Sequence, residues 1–250
     1  MVKLNTIVRF LNKELNNKAF PDDYSRNGLQ VRAKKENIKK IGLAVDANID
    51  SIKLAKKNNC DLLIVHHGIL WKGNKYFNNR HERIKLLKKL NISLYANHLP
   101  LDSHPILGNN AQIANLLEVK NKKPFLRYMR TSIGYRGNLN IKFDILLKKI
   151  KKVTNSDILV DNYGPNNVKI VGIASGGCAS DVDQCLKFGV DTFITGEPSH
   201  SYASINKELK MNVIYLGHYA SETFGVKAVG NLIEEKYELK TKFLDVPTGL

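Results

Sequence analysis

Three short stretches hold most of the side chains able to do chemistry. Ile64-Val65-His66-His67-Gly68-Ile69-Leu70-Trp71 is an apolar run that ends in two adjacent imidazoles and then a glycine. Asn97-His98-Leu99-Pro100-Leu101-Asp102-Ser103-His104-Pro105 sets an acid between two histidines on a proline-fixed loop. Gly217-His218-Tyr219-Ala220-Ser221-Glu222 spaces an imidazole and a carboxylate four apart, on one face of a helix that starts at His218. Neutral imidazole and carboxylate oxygen are both good donors to zinc, iron or manganese. Each stretch alone has a plainer reading: a satisfied core imidazole, a turn acid at Asp102, a first-turn acid at Glu222 facing the helix dipole. Together, His66, His67, Asp102, His218 and Glu222 are too few for two closed structural sites and enough for two open ones. Asp102 and Glu222 are the expected bridges, since a carboxylate has two oxygens to share. Two ions roughly 3.5–4 Å apart activate a water and polarise a carbonyl or phosphoryl group, which is the equipment of a hydrolase. His98 and Glu197 are the candidates for moving the proton of that water.

Adjacent side chains on a strand point to opposite faces, so two neighbouring histidines are expected to share a site only where the strand has ended, with Gly68 supplying the turn. The flanking chain supports this placement. Apolar residues at helical spacing make Leu4 to Leu15 an amphipathic helix, and the loop after it ends in the extended Asn27-Gly28-Leu29-Gln30-Val31. Strands are then expected at 41–45, 62–66 and 92–97, and helices at 50–57, 82–90 and 110–117. Lys120 to Arg130 reads as the crossing between halves. The second half opens with a strand at 131–136, a helix at 143–153 and a strand at 158–160.

The second half also repeats the first. Ile41-Gly42-Leu43-Ala44 aligns with Val171-Gly172-Ile173-Ala174, and without a gap Asp61-Leu62-Leu63-Ile64-Val65-His66-His67 falls on Asp191-Thr192-Phe193-Ile194-Thr195-Gly196-Glu197. A shifted match sets Ser93 to His98 on Val213 to His218. The expected fold is therefore α/β, with two similar strand-helix-strand halves, residues 1–125 and 126–250, and polar groups converging on a cleft at the carboxyl strand ends.

Hydrophobic content of 43% with 25% charged residues is ordinary for a globular protein of 250 residues. No apolar run is long enough to span a bilayer and no signal peptide is apparent, so the expected location is the cytoplasm, away from membranes. Cys60, Cys178 and Cys185 form no disulfide or metal-ligand pattern. The net charge of +16 invites a nucleic-acid reading, but the lysines are spread along the chain instead of gathering in one block. Ala174-Ser175-Gly176-Gly177-Cys178 follows a strand, so its amides suit an anion, yet it lacks the order of a dinucleotide fingerprint and the lysine of a P-loop. Trp71 is read as core, His104 as a solvated loop residue, and Cys178 as a thiol with no base placed for it.

In these stretches the chain resembles the Nif-three-like proteins, known as GTP cyclohydrolase 1 type 2 homologues. The resemblance rests on Asn27-Gly28-Leu29-Gln30-Val31, His66-His67-Gly68 with Trp71, His98-Leu99-Pro100-Leu101-Asp102 followed by Gly108-Asn109-Asn110, Ile194-Thr195-Gly196-Glu197, and Gly217-His218 with Glu222. It implies a dinuclear centre on the same five ligands, two α/β halves, and a homohexameric ring whose metal sites face an internal cavity. Two positions depart from the family pattern: Tyr219, where a second histidine is common, and His200, where an acid is common. Both concern substrate contacts and not the ligands. The expected activity is metal-dependent hydrolysis of a small molecule through a metal-bound water, with two divalent cations per subunit (zinc, iron or manganese) and GTP among the substrates to test. The alternative is a ring-forming adaptor or nucleic-acid-binding protein whose metals are structural or regulatory.

Overall fold

Leu62-Leu63-Ile64-Val65 is apolar at every position, the pattern of a strand covered on both faces. All four side chains are buried, and the strand Leu62–His67 lies at the centre of a five-stranded sheet. The computed structural model describes residues 1–73, 79–128, 130–154 and 157–250. It divides into two compact units, Met1–Leu101 with Gly225–Val246, and Asp102–Phe224 with Pro247–Leu250.

In the first unit the sheet order is Lys240–Phe243, Lys40–Asp46, Leu62–His67, Ser93–Ala96, Gly28–Val31. The first four strands run parallel and the last is antiparallel. The helix Leu4–Glu14 buries Leu4, Ile7 and Leu11, one stripe at helical spacing. The helix Ile49–Lys57 starts at a capping box in which Asn48 and Ser51 bond each other's backbone amides. Ala44, Ile52, Leu63, Val65, Leu87 and Leu94 lie in the core between sheet and helices.

The second unit holds six strands in the order Lys120–Tyr128, Thr131–Lys142, Asn167–Ala174, Thr192–Thr195, Asn212–Tyr215, Leu159–Asn162. Its central three are parallel, and antiparallel strands flank them. The boundary expected at residue 125 falls inside the strand Lys120–Tyr128, which pairs with Thr131–Lys142 at the edge of this sheet. The lysines and Pro124 that resemble a linker composition also suit an edge strand, where they discourage pairing with another chain.

The internal repeat is visible in hydrogen bonds. The register pairs Ile41 with Leu62 and, 130 residues on, Val171 with Thr192. Asp61 Oδ2 accepts from the amides of Lys39 at 2.7 Å and Lys40 at 3.3 Å; Asp191 Oδ2 accepts from Lys169 at 2.9 Å and Ile170 at 3.0 Å. The third strand corrects the sequence alignment by one residue. Leu62 pairs with Ser93 and Thr192 with Asn212, so Ser93 corresponds to Asn212 and not to Val213. The extra residue before His218 is taken up at Gly217, which has φ 89°. Among the described residues no helix is long and apolar enough to cross a membrane.

Candidate metal centre

In the first unit the parallel strands deliver three imidazoles to the carboxyl edge of their sheet, where open α/β folds place ligands. His66 and His67 end one strand, and His98 follows the next by two residues. Contrary to the expected turn, His67 is still in the ladder, paired with Asp46. The two rings nevertheless lie with centroids 4.6 Å apart, and His98 stands 5.1 Å from His66 and 5.5 Å from His67. Imidazoles on the last rungs can lean over the end of the strand because no further side-chain pair blocks them. Gly68 serves close approach and not a left-handed turn: it has no positive φ, and a Cβ there would strike the Gln30 amide and come 2.6 Å from Ala96 Cβ. Gln30 Oε1 uses that space to accept from the amides of Ile69 at 2.7 Å and Leu70 at 3.0 Å.

Each of the three rings is held by an oxygen at Nδ1. His66 Nδ1 lies 3.0 Å from the Asn97 carbonyl, His67 Nδ1 3.0 Å from Asp46 Oδ1, and His98 Nδ1 3.0 Å from Asp23 Oδ1. A donated Nδ1–H puts the lone pair on Nε2, the tautomer a metal ligand needs. One ligand atom from each of His66, His67 and His98 lies within 4.8 Å of the others, so the group is able to hold a metal ion. Trp71, read as core, is partly buried and flanks the cluster, its ring 5.1 Å from that of His98 and 6.1 Å from that of His67.

The second unit gathers the carboxylates. His218 opens the helix His218–Ser221, as the spacing predicts, but Glu222 ends that turn and a second helix starts at Thr223. His218 Nε2 is 3.2 Å from Glu222 Oε1, and its Nδ1 is 3.2 Å from Glu197 Oε2. The hydrogen bond to Glu222 pushes the His218 imidazole up to about 9; burial opposes this, and the charges of Glu222 and Glu197 add to it. The pocket therefore favours positive charge at this position, whether a proton or a metal cation. Asp102 is buried, and its Oδ1 accepts from Ser175 Oγ and Asn109 Nδ2, both at 2.9 Å.

The glycine loop after Ala174 has a different task from the anion cradle suggested by its sequence. Ser175 holds Asp102, the Gly176 amide donates to Ser221 Oγ at 3.1 Å, and the Gly176 carbonyl accepts from the amides of Gly196 and Glu197. Gly176 has φ +68°, and a Cβ there would lie 2.5 Å from Glu222 Oε1. The orienting roles of Asp23, Asp46 and Ser175 escaped sequence reasoning, for the side chains they hold, His98, His67 and Asp102, lie 75, 21 and 73 residues away. His104 is a turn anchor: its Nδ1 accepts from the amides of Ile106 at 3.2 Å and Leu107 at 2.9 Å. Burial pushes the Cys178 thiol well up, with nearby acids adding to the effect, so it is a poor nucleophile. Tyr219 is buried, and His200 begins the helix His200–Glu208.

The sequence profile of the Duf34/NIF3 (NGG1p interacting factor 3) family matches residues 2–248. The chain belongs to the DUF34/NIF3 family. A Pyrococcus horikoshii relative named GTP cyclohydrolase 1 type 2 homolog is 42% identical over 248 residues, covering 98% of this chain and 98% of that one. The solved structure of protein ybgI, described as of unknown function, matches with a TM-score of 0.91 at 33% identity, over 100% of both chains. TTHA1606 from Thermus thermophilus matches with a TM-score of 0.90 at 36% identity, again over 100% of both. The resemblance read from the motifs thus holds over nearly the whole chain, and with it the mixed α/β fold of NIF3 proteins.

Proposed function

We propose that this NIF3 protein holds two divalent metal ions through His66, His67, Asp102, His218 and Glu222 and hydrolyses a small molecule, with GTP and related nucleotides the first to test. The observation that carries the reading is the donor chemistry: three neighbouring imidazoles fixed at Nδ1 by oxygen in one unit, and two buried carboxylates with an imidazole in the other. Divalent ions on such donors lower the pKa of a water and polarise a carbonyl or phosphoryl oxygen. The chain's own part is orientation. The Asn97 carbonyl and Asp46 set the rings of His66 and His67, Ser175 and Asn109 hold Asp102, and Glu197 accepts from His218 Nδ1. With 41% of its side chain exposed, Glu197 touches both imidazole and solvent, the placement required to pass a proton outward. A homohexameric ring and a cytoplasmic location belong to the same proposal.

Elemental analysis of protein purified without chelator tests it. The expected result is about two metals per chain in the wild type, lost in His66→Ala and Glu222→Ala, with hydrolysis of a nucleotide tracking metal content. Wild type that takes up no zinc, iron or manganese on reconstitution, or Glu222→Ala with undiminished metal, overturns it.

A further inference from the structure

We propose that Arg83 anchors a phosphate group of the substrate beside the candidate metal centre, so that the molecules this protein hydrolyses are phosphate-bearing. The inference rests on the metal reading above and adds to it a substrate class and the residue that recognises it.

The fold brings Arg83 to the same sheet edge as the imidazoles. The helix Asn79–Leu90 follows the strand Leu62–His67 in the chain, so it starts at the carboxyl edge, and Arg83 lies in its second turn. Arg83 Nη1 donates to the Ala47 carbonyl at 3.2 Å. Ala47 is level with the candidate ligands: its amide donates to the His67 carbonyl at 2.9 Å, and Asp46, the residue before it, holds His67 Nδ1 at 3.0 Å. The corner is rigid. Ser51 Oγ donates to the Asp46 carbonyl at 2.7 Å, and Ala47 is 2% exposed.

The bonding of Arg83 is incomplete in a way that a structural tie does not require. Among the described residues it makes that one hydrogen bond and no ion pair. Its Nε is buried with no acceptor, and its Nη2 has neither burial nor acceptor. Neighbouring acids do not neutralise it: Asp46 is on His67, Glu82 is 3.1 Å from Lys85, and Asp50 is exposed on the helix Ile49–Lys57. A lysine could reach one carbonyl without orphaning a buried N–H, at less cost to stability. This chain also favours lysine, with arginine only 8 of its 39 basic residues, so composition does not account for the choice. What arginine adds is a planar fork of donors, always charged, that meets two oxygens of a phosphate at once. A partly buried cation with no carboxylate partner attracts an anion to this edge. Metal ions bind oxyanions of many kinds; the guanidinium supplies the preference for phosphate.

The test is calorimetric titration of zinc-reconstituted, full-length protein with guanosine monophosphate and, separately, with inorganic phosphate, zinc content being measured on the same samples. Arg83→Gln is expected to bind both about 10- to 100-fold more weakly and to keep wild-type zinc. Arg83→Lys, which retains the charge but not the fork, is expected to lose roughly 5-fold. Wild-type affinity for the nucleotide in Arg83→Gln overturns the inference, makes Arg83 a tie between helix and loop, and leaves the metal reading standing. Zinc lost together with phosphate binding also overturns it, since Arg83 then supports the metal site instead of the substrate. Zinc-loaded wild type that binds neither probe at millimolar concentration overturns it as well. Wild type that takes up no zinc, iron or manganese overturns the metal reading and the inference with it. Circular dichroism and melting establish that the variants fold, and if Arg83→Gln does not, Arg83→Lys decides alone.

Discussion

Gly176 is the position at which one added carbon does most to the carboxylate cluster. Its φ of +68° lies in the left-handed region, and a Cβ would reach 2.5 Å from Glu222 Oε1 and 3.3 Å from His218 Nε2. Left-handed backbone costs an alanine about 1–2 kcal/mol before any clash, and Glu222, with 4% of its side chain exposed, has little room to retreat. Gly176→Ala should therefore lower the stability of the metal-free protein by about 1–3 kcal/mol in urea unfolding and reduce metal content as well. Gly177→Ala should do less, because its Cβ meets only Glu197 Oε1, at 3.0 Å, on a partly exposed side chain. Wild-type stability and metal content in Gly176→Ala would show that the loop does not shape the site. The sequence displayed Ser175-Gly176-Gly177 but not this role. Side chains able to chelate announce themselves by type, as at His66-His67 and Glu222. Residues that orient them, such as Asp46 beside His67 and Ser175 beside Asp102, are ordinary acids and hydroxyls until the fold brings their partners near.

The strand-helix-strand repeat gives a sharper test than sequence similarity does. Asp61 and Asp191 both stand just before a strand and take the two backbone amides at the start of the neighbouring one. If they are equivalent pieces of the fold, Asp61→Ala and Asp191→Ala should each cost about 1–3 kcal/mol by leaving those amides without an acceptor. The Asp61 variant also loses the ion pair to Lys35 at 2.5 Å, so its loss should be at least as large. Urea midpoints decide: no loss in either variant means that the shared register is incidental. The central parallel strands were legible because a run such as Leu62-Leu63-Ile64-Val65 has few alternatives. Lys240–Phe243 was not, since Lys-Thr-Lys-Phe alternates weakly and becomes a strand by pairing with Lys40–Asp46, some 200 residues earlier. The strand Lys120–Tyr128 was missed for a related reason: lysine, asparagine and proline read as a linker until a partner strand is in view.

Across the whole molecule, the net charge of +16 separates the hydrolase reading from the adaptor reading. The basic side chains are exposed on elements of both units: Lys85, Lys88 and Lys89 on the helix Asn79–Leu90, Lys148, Lys151 and Lys152 on the helix Phe143–Thr154, and Lys120, Lys122 and Lys123 on an edge strand. Charge spread in this way attracts any polyanion through counterion release and reads no sequence. Binding of a DNA duplex should accordingly fall on the order of 10³-fold between about 50 and 200 mM salt, if six or more phosphates are contacted. It should be alike for duplexes of different sequence and unchanged in Glu222→Ala. Metal content should behave in the opposite way, since ligands inside a site are screened little by salt: constant over the same salt range in the wild type and lost in Glu222→Ala. Fluorescence anisotropy and elemental analysis on the same samples read both quantities. DNA binding that survives 200 mM salt, prefers one sequence and weakens with loss of metal would reverse the assignment, making the metals regulators of a nucleic-acid surface in place of the seat of hydrolysis.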